Sequence, residues 1–436
     1  MIELAVRGGR PAVTKGRLAV RWPVIGTPER KAVLEVLDSG VLNGTAAPQV
    51  KALESEFARF VGTRYCLATN SGTSALHLAV AAAGVGPGDE VITSAFTYPA
   101  SALAVLHHNA VPVFVDIDPH TFNLDPSLIE ERVTSRTRAI MPVHLHGLPC
   151  DMDAINAIAR SRGLAVIEDA AQAHGATYRS RQAGALGDMA GFSLNATKNL
   201  PCGEGGLFVT DSDRLHAAAL PPRLHGITGE EAPFDPTHPL DEDASAEFRM
   251  LGWMYLTQEI PAAIARAQLR RLVDFNRSAV ANAARLTARL FSLPGVVPPA
   301  CPPDRTHVYH KYRVRLDPER MGVALPADRL RDRVVAALRA EGVEAGLWLT
   351  EPVPAMSIFR RREGYGGGCP WTCHGSEVRY HPEEYPKAAA LLASSIVIGS
   401  QSYPLFPQPP ELIDQYADAF EKVVARAADL PDAGGR

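Results

Sequence analysis

From Tyr65 to Thr210 the chain repeats one pattern: a short apolar run, a turn, and a stretch with helical spacing. The runs are Tyr65–Ala68, Val91–Thr93, Val111–Val115, Ala139–Val143 and Leu164–Ile167, then Ala190–Ser193 and Gly206–Thr210 close together. Between the earlier runs lie helical stretches at 74–83, 99–108, 126–132 and 151–162. Runs this short and rich in Val and Ile, alternating with helices, specify an α/β fold: a mostly parallel central sheet with helices on both faces. Ligands of such sheets bind at the C-terminal ends of the strands.

The flanks are simpler. Helices are expected at 28–39, capped by Thr27 and ended by Gly40, and at 49–61, with Leu53, Phe57 and Phe60 on one face. Residues 228–247 are acidic and Pro-rich without a period, and read as a surface excursion. A long helix over 259–291 then leads into a strand at His310–Leu316, a helix at 325–341 and a closing helix at 411–428. The expected division is a large domain over 1–275, including the N-terminal segment, and a smaller C-terminal α/β domain over 276–436.

Composition excludes several functional classes. Hydrophobic residues are 46% and charged residues 21% of the 436, the balance of a soluble globular chain. A net charge of −4 gives no electrostatic case for nucleic acid or an anionic membrane. No run approaches the roughly 18 apolar residues that span a bilayer. The N-terminus has no apolar core of a signal peptide, and six cysteines are too few for a disulfide scaffold, so reduced thiols and a cytoplasmic protein are expected.

Four local features carry chemistry. Lys198, in GFSLNATKNLPCGEGG (191–206), is the only lysine between Lys51 and Lys311. It follows an apolar strand and precedes a glycine-rich turn. Partly desolvated there, its pKa falls and it can form a Schiff base; a solvated surface charge is the alternative. Glu168-Asp169 ends the run Leu164–Ile167. A carboxylate there is either a helix cap or a partner for a protonated pyridine nitrogen. Asn70-Ser71-Gly72-Thr73-Ser74 opens a helix, where N–H groups and hydroxyls bind phosphate, with Ser193 a further hydroxyl. Tyr98 follows the strand at 91–93, placed to stack on a flat ring or to pack in the core. Together they describe a site for pyridoxal phosphate (PLP).

These stretches resemble the DegT/DnrJ/EryC1/StrS family of sugar and cyclitol aminotransferases, which have the PLP-dependent transferase fold of type I. The resemblance lies in NSGTSALHLAV (70–80), GPGDEVITSAFTYPAS (86–101), VFVDIDPHTFNLDP (113–126), RAIMPVHLHGLPCDMDAI (138–155), VIEDAAQAHGA (166–176) and FSLNATKNLPCGEGG (192–206). It implies that Lys198 bonds the cofactor and shuttles the proton, with Asp169 at the pyridine nitrogen. It implies phosphate contacts from Thr73, Ser74 and Ser193, ring stacking by Tyr98, and Gln172 against the other face or oxygen. A lysine at 198, where dehydratases of the family carry histidine, implies transamination. The amino donor is glutamine or glutamate, the acceptor a keto-cyclitol or ketosugar, and the assembly a homodimer with sites at the interface. GGRPAV…WP and SYPLFPQ point towards the cyclitol.

The chain also departs from that pattern. The family's G-aromatic-N-Y-R run, whose asparagine reaches the neighbouring subunit's phosphate, reads Gly252-Trp253-Met254-Tyr255-Leu256. Met254 offers no hydrogen bond and Leu256 removes a cation, with Arg223 or Arg249 as possible substitutes. Asn195 stands where many members have histidine. A different PLP reaction, elimination or cyclisation, and a non-catalytic partner subunit are the rival readings. Gly364–Cys373 (GYGGGCPWTC), followed by His374 and His381, reads as a substrate-facing loop over the active site in preference to a zinc site, so no metal is expected.

Overall fold

The structure, a computed structural model, describes residues 3–14, 19–44, 47–228 and 247–432. The expected surface excursion at 228–247 falls almost wholly outside the described residues. Seven strands form the central sheet, in the order Tyr65–Thr69, Gly206–Thr210, Met189–Ser193, Ala165–Asp169, Thr137–Met141, Glu90–Ser94, Val111–Val115. Only Gly206–Thr210 runs antiparallel to its neighbours.

Alternate residues of each strand serve opposite faces. Leu67 and Phe208 pack with Leu76, Val80, Val105 and Leu215 on one face. Ala68, Leu207 and Val209 pack with Leu53, Phe57 and Leu272 on the other. Both faces are covered, so the strands read as near-continuous apolar runs. The helix Glu259–Leu290 continues beside a second, antiparallel sheet, ordered Val296–Val297, Tyr312–Leu316, Ser395–Ile398, Ala345–Gly346. The helices Ala327–Ala340 and Pro410–Val424 cover this sheet, and Leu4 and Val13 from the N-terminal segment join its core.

Three expectations are corrected. The helix expected at 126–132 is two 3₁₀ turns, Pro126–Leu128 and Glu130–Arg132; Asp125 caps the first through Ser127 N–H at 3.1 Å, and the chain turns away before a second helical turn forms. Cys369 and Cys373 are not reduced: the glycine-rich turn brings their Cα atoms to 5.2 Å and they form a disulfide, while Cys66, Cys150, Cys202 and Cys301 are free. Their loop does not face the C-terminal strand ends. Trp371 is buried and donates to Tyr380 Oη at 2.9 Å, and Arg136, just before the strand Thr137–Met141, donates to His374 O at 2.9 Å. The loop therefore closes the N-terminal edge of the sheet. Among the described residues no cluster of His, Cys, Asp and Glu could hold a metal, and no helix is long and apolar enough to cross a membrane.

Candidate active site

Asp169 ends its strand at the C-terminal edge of the sheet. Its neighbour Glu168 points to the opposite face, where it accepts from Gly184 N–H (2.7 Å), from Leu186 and Gly187 N–H (2.6 Å each), and from His144 Nε2 (2.7 Å). Glu168 is thus spent on holding the chain around it. Asp169 points into the crevice. Its Oδ2 accepts from Ser101 Oγ at 2.6 Å and its Oδ1 from Ala171 N–H at 3.1 Å. Burial raises its pKa, while Ser101, the Ala171 amide, Lys198 and His144 act the other way.

The next strand, Met189–Ser193, runs parallel with Asp169 opposite Gly191. The turn leaving it therefore arrives beside Asp169. Asn195 shapes that turn: its Oδ1 accepts from Thr197 N–H (3.0 Å) and Thr197 Oγ1 (2.8 Å), and its Nδ2 donates to Glu204 Oε1 (2.7 Å). Its carbonyl accepts from Lys198 N–H at 2.9 Å. Trp22, buried against Phe275 and Phe406, donates its indole N–H to Lys198 O at 3.2 Å. Burial lowers the Lys198 ammonium to about 8, with Asp169 and Glu204 acting against it. A lysine so placed carries an appreciable fraction of free amine near neutral pH.

The helix Gly72–Ala82 starts at the same edge. Ser71 caps it by accepting from Ser74 N–H at 3.0 Å. Gly72 lies against Ser193: a Cβ on Gly72 would stand 2.6 Å from Ser193 Cβ, and one on Gly206 would stand 2.1 Å from Ser71 O. Only glycines let the helix start and the lysine hairpin close to this degree. Thr73, Ser74 and Ser193 thereby share one end of the crevice, where amide and hydroxyl groups suit a phosphate. The half-buried lysine, the buried carboxylate and this hydroxyl-rich helix start are a donor set that fits PLP.

Gln172 is buried, and its Oε1 accepts from His146 N–H at 2.8 Å, with His146 Nδ1 at 3.3 Å. His146 Nε2 accepts from Arg313 Nε at 3.0 Å, so the ring proton resides on Nδ1. Arg313 also donates to Ser395 Oγ (2.6 Å) and Trp348 O (2.9 Å). Burial alone lowers Arg313 to about 9. Burial, then Lys198 and Arg313, lowers Lys311 to about 8. The imidazoles of His174 and His307 fall to about 3, first through burial, and those of His146 and His310 also fall well below the ordinary value. All four are neutral at pH 7. Sequence reasoning missed this wall, although HVYHKYR (307–313) places two histidines and two cations at the start of a strand. It also missed Ser101 and Trp22.

The remaining expected residues make different contacts. Tyr98 follows the strand Glu90–Ser94, close to Ser101, with its ring 58% exposed and no ring partner among the described residues. The run 252–256 is anchored on its own chain: Asn70 N–H donates to Tyr255 O (2.9 Å), Asn70 Nδ2 to Met254 O (3.1 Å), and Tyr255 Oη meets His77 Nδ1 (2.7 Å). The Met254 side chain is half exposed. Arg223 is buried and paired with Glu54 at 2.7 Å, so its charge is committed within the chain. Arg249 lies on an exposed stretch.

A doubly covered α/β sheet with a lysine and a carboxylate facing each other at its C-terminal edge defines a fold-type-I transferase. The DegT/DnrJ/EryC1/StrS aminotransferase family matches residues 23–387, and the chain belongs to that family of PLP-dependent sugar aminotransferases. It is 40% identical over 319 residues to the spore coat polysaccharide biosynthesis protein SpsC of Bacillus subtilis, covering 73% of this chain and 79% of SpsC. It is similar in structure to DesV of S. venezuelae (TM-score 0.76, 31% identity, 91% of this chain and 94% of DesV). It is also similar to DesI, solved in the presence of its TDP-sugar product (TM-score 0.79, 28% identity, 98% and 97%).

Proposed function

We propose that this protein moves an amino group from glutamine or glutamate to a ketosugar or keto-cyclitol, working as a homodimer with PLP. The observation that carries this reading is the half-buried amine of Lys198 beside the buried carboxylate of Asp169, with partial desolvation lowering the amine to about 8. The likeness to SpsC and to DesI with its TDP-sugar supports an acceptor of the sugar type.

PLP supplies a carbonyl that condenses with amines and a ring that withdraws electrons. Asp169, fixed by Ser101 and the Ala171 amide, would hold the proton on the pyridine nitrogen. Thr73, Ser74 and Ser193 bind the phosphate. Gln172, fixed by His146, would orient one side of the cofactor, and the exposed ring of Tyr98 would be available to cover a face of it. Lys198 Nζ would hold the cofactor, and its amine would take and return the proton in both halves of the exchange.

The test is spectroscopic. Purified holoprotein should absorb in the visible, and L-glutamine or L-glutamate added without acceptor should bleach that band as the amine is retained and the 2-oxo acid is released. A visible band that neither donor bleaches would refute transamination and favour another PLP reaction. Failure to take up PLP at all would favour a non-catalytic role.

A further inference from the structure

The wall opposite Lys198 holds more positive charge than its own chain neutralises. Lys311 and Arg313 begin the strand Tyr312–Leu316 of the second sheet. Tyr312, Val314 and Leu316 face that sheet's core, so Arg313 faces the other way, towards His146. Arg313 is fully buried with no carboxylate partner among the described residues; its donors go to His146, Ser395 and the Trp348 carbonyl. Lys311 Nζ lies 5.8 Å from the Trp348 ring centre and makes no ion pair among the described residues. Among the described residues, the charges that bear on it are Lys198 and Arg313, both cations. Lys311 is half-buried, and a partly desolvated cation held near other cations is costly unless an anion joins it.

There is room for one. Lys311 lines a cleft of about 470 Å³ together with Arg339, Glu344, Trp348, Val397 and Gln401. Glu344 is not among the groups acting on Lys311. Lys311 is therefore the residue that belongs to both the cleft and the electrostatic neighbourhood of Lys198. The phosphate end of the site is already served by the Ser71–Ser74 turn and Ser193, so this cation awaits a different anion. The chain has Leu256 where the family resemblance places an arginine, and Lys311 and Arg313 bring positive charge to the site from the second sheet instead.

We infer that Lys311 Nζ is the binding group for a substrate carboxylate, with Arg313 as a positioning residue that anchors the Trp348 and His146 walls around it. This rests on the transaminase reading above. The carboxylate is either that of the amino donor or one carried by the ketone acceptor.

The test uses the PLP-loaded protein and glutarate, an unreactive dicarboxylate, titrated calorimetrically into wild type, Lys311→Met and Lys311→Arg. Lys311→Met should weaken glutarate by about tenfold or more, the worth of one charge-assisted hydrogen bond, and Lys311→Arg should restore much of it. The donor half-reaction then assigns the source. If Lys311→Met weakens L-glutamine but not L-glutaminamide, the carboxylate is the donor's; if both are unchanged while glutarate is weakened, it is the acceptor's. Wild-type protein that does not bind glutarate, or equal binding by wild type and Lys311→Met, overturns the inference even if L-glutamine bleaches the cofactor normally. A wild-type cofactor band that no donor bleaches overturns the transaminase reading instead, whatever glutarate does.

Discussion

Lys198 should titrate far below an ordinary lysine before any cofactor binds. Burial moves it from 10.5 to about 8, against the pull of Asp169 and Glu204. At pH 7 that raises the free-amine fraction from about 1 in 3,000 to about 1 in 10, a gain of roughly 300-fold in reactive nucleophile. Competitive acetylation of the apoprotein across pH, read peptide by peptide by mass spectrometry, measures this directly. Lys198 and Lys311 should reach half-maximal reactivity near pH 8, well below an ordinary lysine. Asp169→Asn should lower the Lys198 midpoint further, because the carboxylate's attraction is what opposes desolvation. A Lys198 midpoint near 10.5, or one that rises in Asp169→Asn, would refute the assignment of a desolvated amine facing an ionised carboxylate.

Two further outcomes separate structural from chemical roles. Glu168→Ala leaves three buried amides and His144 without their acceptor, so it should cost about 3–5 kcal/mol and lower the melting temperature sharply, whereas Asp169→Asn should melt near wild type yet bind PLP in a coloured, nearly inactive form. Near-normal turnover in Asp169→Asn would reduce that carboxylate to a cap. Met254→Asn should tighten PLP in a titration of the apoprotein by one to two decades, for a restored hydrogen bond of ~1.5–3 kcal/mol to the neighbouring subunit's phosphate; equal or weaker binding would mean that this segment packs differently across the interface.

The central sheet was legible because its strands are buried on both faces and several are set off by a helix. What the pattern did not carry was direction: Gly206–Thr210 reads like its neighbours but runs against them. The helix Asp213–Arg223 went unread because Pro221 and Pro222 fall in its last turn, where they act as a stop and do not prevent the preceding turns. In the site, Lys198 and Asp169 stand out because each follows an apolar run at a strand end. Arg313 does not, because alternation in YRVRL tells which residues share a face but not which face is covered. Its polar face reads as solvent-exposed until the central sheet is laid against it. Ser101 is invisible for a similar reason: its hydroxyl matters only because the helix Ala100–His107 starts within reach of Asp169.

The account stands on Lys198 as the residue that bonds the cofactor. Borohydride reduction of the PLP-loaded protein, followed by peptide mapping, tests this most directly. The pyridoxyl mass should fall on the peptide containing Lys198, at close to one per chain, and should vanish in Lys198→Ala. Label on Lys311, the other half-buried lysine near the site, or no label on a protein that absorbs in the visible, would contradict it.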